Sequence, residues 1–425
     1  MNRQYSLRRK RIMYKRVFLV CLSILLVTGL LAGCAAESDK GNVLVPGVKA
    51  DSIGTNVVEA NSGFAFRIFK EMYTADTEGN LFISPASIST ALAMVMNGAK
   101  GNTLDEMMDT LGFKGIDQAE VNSGFAYLVS LLNRNEGGVE LSLANSIWIR
   151  KGFNVLDTFK AVNSDYFAAS IEELDFNDPG APVTINDWVR ETTNGKIDGI
   201  VGDTIHPATV MFLINSIYFK GEWKTPFDPD RTYSSDFFID GTATGTVDMM
   251  NYKNDTMYYE GNGYKIISLP YGEEDMVMDL ILPDEGIKTA DFIRSFGLKD
   301  YKTALAGLSE ESEVIVSIPA FKSEYETKLN DVLHELGIRD LFSSVCDLSG
   351  INGSGDLFVS EVKHKTYIDV NEEGTEAAGV TSVEIRLTAV MDPTEFIADR
   401  PFLYTIRDTR TESILFMGVF DTPEQ

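Results

Sequence analysis

Asn371-Glu372-Glu373-Gly374-Thr375-Glu376-Ala377-Ala378-Gly379-Val380-Thr381 is the stretch from which the rest of the chain can be read. With a period of two it hides a strand. One set of alternate positions, Thr375, Ala377, Gly379, Thr381, Val383, Ile385 and Leu387, is uncharged, and its first four members are small. The other set, Glu376, Ala378, Val380, Ser382, Glu384, Arg386 and Thr388, carries all the charge. Alternation of this kind is what a strand with one buried face needs. Yet Ala, Gly and Glu are weak β-formers, so the early part has little reason of its own to stay in a sheet. A segment able to join a sheet but not bound to remain there can exist in two states. No Pro falls between Val370 and Val390 to remove a ladder donor.

Further blocks stand in order along the chain. Asn80-Leu81-Phe82-Ile83-Ser84-Pro85-Ala86-Ser87-Ile88 comes first, then Asn215-Ser216-Ile217-Tyr218-Phe219-Lys220-Gly221-Glu222-Trp223 followed by Pro226-Phe227. Asp399-Arg400-Pro401-Phe402-Leu403 and Leu415-Phe416-Met417-Gly418 close the series. With the hinge-like stretch, they resemble the signatures of the serpins, serine protease inhibitors that trap their target by inserting a loop into a sheet. The resemblance covers roughly residues 56 to 425. It implies one domain with three β-sheets, about eight or nine helices, and an exposed reactive-centre loop at about 372–398.

The function implied is a suicide substrate for a serine-type endopeptidase. The loop is cut, an acyl-enzyme forms, and the segment from Thr375 onward inserts as a new strand of the main sheet. The trapped protease cannot finish hydrolysis because its own site is pulled out of shape. The hinge positions carried over are Glu372, Gly374, Thr375, Glu376, Ala377, Ala378 and Gly379. Thr375 is the first whose side chain would turn inward on insertion, and it is expected near solvent beforehand. Its partner Glu376 faces outward. Inhibitory relatives usually count seventeen residues from the hinge Glu through the specificity residue, which from Glu372 gives Thr388-Ala389 as the reactive bond. Counting back from Arg400-Pro401 allows Val390-Met391, and Arg386-Leu387 permits a trypsin-like cut. A small or β-branched specificity residue points to elastase-like or subtilisin-like targets.

The resemblance also places Ser84, Ser87, Asn215 and His364 in a polar cluster beneath the main sheet, where its central strands part. Two readings stand for it: a satisfied structural network, or one that re-pairs when a strand enters. Trp223 with Glu372 resembles the point where the hinge first enters the sheet.

The residues themselves support an α+β domain. Val57, Ala60, Phe64, Ile68 and Met72 fall at helical spacing. Ser84-Pro85 reads as an N-cap followed by Pro at the first helical position. Thr103-Leu104-Asp105-Glu106 fits a capping box, and Leu329, Val332, Leu333 and Leu336 form a stripe ended by Gly337. Met211 to Phe219 reads as a strand buried on both faces, and Met276 to Leu282 and Val314 to Ile318 as strands stopped by Pro283 and Pro319. Helices crowd the first third and strands the remainder, with no repeat and no internal linker, which favours one large domain over residues 56–425.

Residues 1–33 read as an export signal. Met1 to Arg16 holds seven Lys or Arg and no acid, and Val17 to Leu31 is an apolar run too short for a membrane span of about 20 residues. It ends in Leu31-Ala32-Gly33-Cys34, which resembles a bacterial lipobox with Cys34 as the lipidated N-terminus. Residues 34–55 read as a flexible tether. The protein is thus expected in the bacterial cell envelope, outside the cytoplasmic membrane, lipid-anchored and open to shedding. Without the signal, 30 Lys and Arg face 63 Asp and Glu, a net charge of −33. So acidic a chain argues against nucleic acid and against docking on anionic lipid. Cys346 is the one remaining thiol and reads as a small buried hydrophobe.

Catalytic motifs are missing from the sequence. It has no Gly-x-Ser-x-Gly elbow, no His-Glu-x-x-His, no phosphate-binding Gly loop and no Cys-x-x-Cys pair. His334 reads as a surface residue beside the stripe and His206 as part of a turn. No enzyme activity, metal or cofactor is expected, and a monomer is. The alternative to inhibition is a non-inhibitory serpin serving as a binding or interaction module.

Overall fold

The computed structural model describes residues 55–75, 79–375 and 393–423. Ten α-helices stand among these residues, slightly more than the resemblance implied. They are α1 (Thr55–Ala75), α2 (Pro85–Met96), α3 (Gly101–Leu111), α4 (Gln118–Leu131), α5 (Asp157–Phe167), α6 (Ala181–Thr192), α7 (Thr289–Ser295), α8 (Leu298–Gly307), α9 (Asn330–Leu336) and the single turn α10 (Ser349–Asn352).

The strands begin with β1 (Leu81–Ile83), β2 (Arg134–Glu136), β3 (Val139–Arg150), β4 (Ser170–Leu174), β5 (Met211–Glu222), β6 (Tyr233–Ile239), β7 (Thr242–Glu260) and β8 (Tyr264–Tyr271). They continue with β9 (Met276–Pro283), β10 (Ser309–Pro319), β11 (Phe321–Lys328), β12 (Lys363–Asn371), β13 (Gly374–Thr375), β14 (Glu395–Ile397), β15 (Phe402–Asp408) and β16 (Ile414–Phe420).

These strands form two sheets among the described residues, where three were expected. The larger has nine strands in the order β1-β16-β15-β9-β8-β7-β10-β14, with β6 on β7. The 19 residues of β7 explain the merger. β7 pairs with β6 over Thr242–Met249 and with β8 over Met257–Glu260, while β10 pairs with the stretch Met249–Tyr258 that joins them. Two ladders are therefore held as one by a single long strand. The smaller, seven-stranded sheet runs β11-β12-β13-β5-β3-β2, with β4 parallel to β3.

The helix signals act largely as their chemistry requires. Ser84 caps α2, its hydroxyl accepting from Ser87 N–H at 3.2 Å, and Pro85 occupies the first turn where no partner is lost. Phe64, Ile68 and Met72 of α1 are buried at the spacing of one helical face. Gly337 ends α9 in the left-handed conformation. Thr103 is different. The helix begins two residues earlier, at Gly101, so Thr103 lies inside α3 and forms no capping box. Its hydroxyl instead accepts from Asp347 N–H at 3.0 Å, and Glu106 accepts from Arg339 and Asp340 N–H at 2.8 Å each. Both residues cap the segment around Asp340–Asp347, a partner that lies more than 230 residues away.

The main core lies between α1, α2 and the sheets, where Phe82 stacks on Phe416 with ring centroids 5.3 Å apart. A satellite core lies on the opposite face of the smaller sheet. Ile185 and Val189 of α6 pack there with Trp148 of β3, Phe176, Ile197 and Ile214 of β5. Each aliphatic side chain so buried contributes about 1.5–3 kcal/mol. That is enough to hold α6 on the sheet. β5 is half-buried at its start and fully buried over Ser216–Phe219, so burial on both faces holds only for its second part.

Candidate functional site

The hinge lies in the smaller sheet. Gly374 and Thr375 form β13, antiparallel to β12 on one side (Val370↔Thr375, Asn371↔Gly374) and to β5 on the other (Gly374↔Glu222, Thr375↔Gly221). Below these two residues no ladder joins β5 to β12, although the two strands flank the same gap. Among the described residues, the sheet is therefore bridged at its head by β13, and β5 and β12 do not pair with each other beneath it.

Thr375 is 1 % exposed. It was expected near solvent, and the structure corrects this: the first inward-turning residue is already in the sheet. Its hydroxyl lies 2.8 Å from Tyr271 Oη, at the end of β8. Tyr271 is stacked on Trp223 at 4.4 Å and 11°, and burial pushes its phenol well above its ordinary pKa. Gly221 makes this seat possible, since a Cβ there would lie 2.7 Å from the Tyr271 ring. Gly374, at φ 154°, passes so close to β5 that a Cβ would collide with the Gly221 carbonyl oxygen. Small residues at both positions are a packing requirement.

Trp223 bonds the carbonyls on either side of Glu372, while Glu372 itself is held by Phe227 and Thr232. Trp223 Nε1 donates to Asn371 O at 2.9 Å and its backbone N–H to Glu373 O at 2.9 Å. Phe227 N–H donates to Glu372 O at 2.7 Å, and the Thr232 hydroxyl donates to Glu372 Oε1 at 2.6 Å. The turn entering β13 is thus anchored on four bonds. The other hinge positions, Glu376, Ala377, Ala378 and Gly379, lie outside the described residues. So do the reactive-bond candidates Arg386, Leu387, Thr388, Ala389, Val390 and Met391, and the lipidation candidate Cys34.

The four polar residues expected beneath the sheet do meet, with Asn215 on β5 and His364 on β12. His364 of β12 is buried, and its Nε2 accepts from Ser84 N–H at 3.0 Å. An accepting Nε2 requires the neutral ring, and burial lowers its pKa to about 3. The Ser84 hydroxyl donates to Leu415 O at 2.7 Å. Ser87 Oγ donates to Asn215 Oδ1, and Asn215 Nδ2 donates to Asn145 Oδ1 at 2.6 Å. Asn145 Nδ2 continues to Phe167 O at 2.7 Å, at the end of α5. One chain of hydrogen bonds thus spans β3, β5 and the cap of α2, and touches β12 through His364.

Sequence reasoning missed Asn145, Tyr271 and Thr232. Tyr271 and Thr232 lie in strands or turns that carry no local signal of function, and their partners are over 100 residues away. Asn145 could have been noticed as a polar residue on the inward face of β3. Cys346 is buried and its thiol is pushed up to about 11 by desolvation, the behaviour of a core residue. His334 is exposed, and His206 takes part in the turn through Thr209.

The family model of the serpins (serine protease inhibitor) matches residues 59–423. The chain is 37 % identical to leukocyte elastase inhibitor from Bos taurus over 377 residues, covering 86 % of this chain and 98 % of that one. It is 35 % identical to an uncharacterized serpin-like protein of Methanosarcina mazei over 425 residues, covering 96 % and 98 %. The crystal structure of tengpin, a thermophilic serpin in the native state, superposes with a TM-score of 0.77 at 32 % identity, covering 86 % and 94 %. A two-residue strand seated between β5 and β12, above a polar cluster that touches both, agrees with these likenesses, and the chain belongs to the serpin family.

Proposed function

We propose that this protein inhibits serine endopeptidases by accepting cleavage and then inserting the cut loop between β5 and β12. The observation that carries the reading is the two-residue β13, seated between β5 and β12, which among the described residues form no ladder with each other. Its register dictates where the rest would go. Antiparallel pairing keeps the sum of paired residue numbers constant along a regular ladder. Continued from Thr375, the strand brings Thr381 opposite Asn215 of β5 and His364 of β12 at once. An uncharged, hydroxyl-bearing side chain then arrives on the inner face at the level of the polar cluster. Thr388 comes opposite Ala208, just beyond the start of β5, so the inserted arm fills the gap from end to end.

The chemistry balances simply. The protease serine attacks the carbonyl of the scissile bond, the peptide bond breaks, and the new amine leaves with a proton, while the inhibitor stays attached as an ester. Insertion then competes with attack of water on that ester. The favoured bond is Thr388-Ala389, with Val390-Met391 and Arg386-Leu387 as alternatives, and the targets are elastase-like or subtilisin-like. The name of the bovine relative, leukocyte elastase inhibitor, supports that target class. Function here is inhibition rather than hydrolysis, as inhibitor-named relatives indicate.

The same reading takes Cys34 as a lipidated N-terminus after loss of residues 1–33, with residues 34–55 as a tether and the inhibitor a monomer held outside a bacterial cytoplasmic membrane. The basic start and the Leu31-Ala32-Gly33-Cys34 run support this. Mass spectrometry of the membrane fraction tests it: acylated Cys34 is expected, and a soluble mature chain starting elsewhere overturns it. The inhibitory reading is tested by incubation with an elastase or a subtilisin. A detergent-resistant band at the summed mass of protease and cleaved inhibitor is expected. Clean loop cleavage with full protease activity left would favour the non-inhibitory binding module.

A further inference from the structure

The larger sheet holds a buried charge where α8 meets it. Asp279 of β9 is fully buried, and donors from three elements converge on its carboxylate. Ser268 Oγ of β8 donates to Oδ1, and Tyr301 Oη of α8 donates to Oδ2 at 2.5 Å. From β15, Arg407 straddles the carboxylate, with Nε 2.8 Å from Oδ2 and Nη2 3.2 Å from Oδ1. The Thr405 hydroxyl lies 2.9 Å from Tyr301 Oη and 3.4 Å from Asp279 Oδ2. Burial holds the Tyr301 phenol well above its ordinary pKa, so it remains a donor. None of these five residues belongs to the hinge or to the polar cluster beneath the smaller sheet.

A buried ion pair is weak evidence for stability, because desolvation offsets much of its attraction. Its surroundings point to another use. β9, β15 and β16 are buried along their whole lengths, on both faces. In a half-buried strand, register is fixed because a slip would expose the apolar set. A strand that is apolar and buried on both faces feels little of that penalty, and hydrophobic residues of about the right size can repack. Asp279 is the one polar residue between Met276 and Pro283, and β16 has none.

We propose that Asp279, with Tyr301, Thr405 and Arg407, specifies the register in which the C-terminal hairpin β15–β16 docks on β9. In the observed register Ser268, Asp279 and Thr405 stand directly opposite one another across three strands, and Arg407 follows two residues on. Moving β15 by one residue turns Thr405 and Arg407 to the other face of the sheet and leaves Asp279 without its cation. Moving it by two brings Asp279 opposite either Leu403 or Arg407. The first shift carries Arg407 about 7 Å further along the strand, beyond the reach of its guanidinium. The second sets the Thr405 hydroxyl opposite Ile281, away from Tyr301 on α8. Each wrong register therefore buries a polar group without its partner, a cost that the apolar neighbours alone would not impose.

The experiment uses the full-length protein, unfolded in urea and refolded by dilution. Products are counted on native gels, and the register is read in a background carrying Ile281→Cys and Leu403→Cys. These residues lie directly opposite each other, so oxidation joins them in the observed register and not in a shifted one. Arg407→Met leaves the buried carboxylate without its cation and should lower the urea midpoint. Asp279→Leu combined with Arg407→Met should regain most of that loss. The same double variant should nonetheless refold to more than one species, with the cross-linked fraction down by about half or more. A double variant that refolds to one fully cross-linked species would overturn the proposal, because apolar packing would then suffice to set the register. A urea midpoint for the double variant below that of Arg407→Met would also overturn it, since the pair would then serve stability alone. So would a parent that itself refolds to several cross-linking species.

Discussion

Tyr271 Oη and Thr375 Oγ1 lie 2.8 Å apart in a fully buried contact, so one specific side-chain hydrogen bond adds to the backbone pairing that seats the hinge. Tyr271→Phe removes the phenol without changing the stack on Trp223. The loss of one net hydrogen bond costs about 1 kcal/mol. Hydrogen exchange at the Thr375 amide should therefore quicken roughly fivefold, while the exchange of β15 and β16 stays as it was. Unchanged exchange at Thr375 would show that Gly374 and the backbone ladder alone seat the hinge.

Thr375→Arg must place a charge where the side chain is 1 % exposed. The cost is on the order of 3 kcal/mol or more, and it falls on the native state as well as on insertion. The variant should lose thermal stability, expose its hinge to proteolysis and behave as a substrate. Glu376→Arg, one position along on the outward face, should keep most inhibition. Equal loss of covalent complex in both would break the period-two reading of the loop.

Thr381→Arg tests the register separately. Opposite Asn215 and His364, its guanidinium would enter a buried polar cluster with no acid among its named members. A cost of about 3 kcal/mol slows insertion roughly a hundredfold. Complex yield with an elastase should collapse while native stability stays near that of the parent, in contrast to Thr375→Arg. Ser382→Arg, on the outward face, is the milder control. Full complex yield from Thr381→Arg would mean that the strand enters in another register.

His364 gives the protein a dependence on pH. Its folded pKa is lowered to about 3 by burial, against about 6.5 in the unfolded chain. Between those values the unfolded state binds the extra proton, so stability is lost as pH falls below about 6.5, by about 1.4 kcal/mol per unit. The urea midpoint of the parent should drop between pH 7 and pH 5 by more than that of His364→Gln, whose amide retains an acceptor for Ser84 N–H. Parallel curves for the two proteins would show that His364 is not the group responsible.

Much of the site was legible because its signals are local. Ser84-Pro85 starts α2 as a cap and a first-turn Pro must, and Gly337 ends α9 for want of a Cβ. Gly374 was legible as part of the hinge, and the structure adds the reason: β5 leaves no room for a side chain there. The failures share one cause. Thr103 and Glu106 have the spacing of a capping box, but partners near Asp340 and Asp347 compete for them and win. Among the described residues two sheets stand where three were expected, because β7 continues through a junction that no short pattern marks.

The sequence by itself determined that one segment can pair on one face, that its inward positions are uncharged, and that no Pro interrupts it, since these follow from residue type and a period of two. Only the tertiary structure decided that Thr375 is already seated. That depends on Tyr271 of another strand, on the missing side chain of Gly221, and on a gap between β5 and β12. Each is a contact between residues far apart in the chain, and contacts of that kind exist only once the sheets have packed.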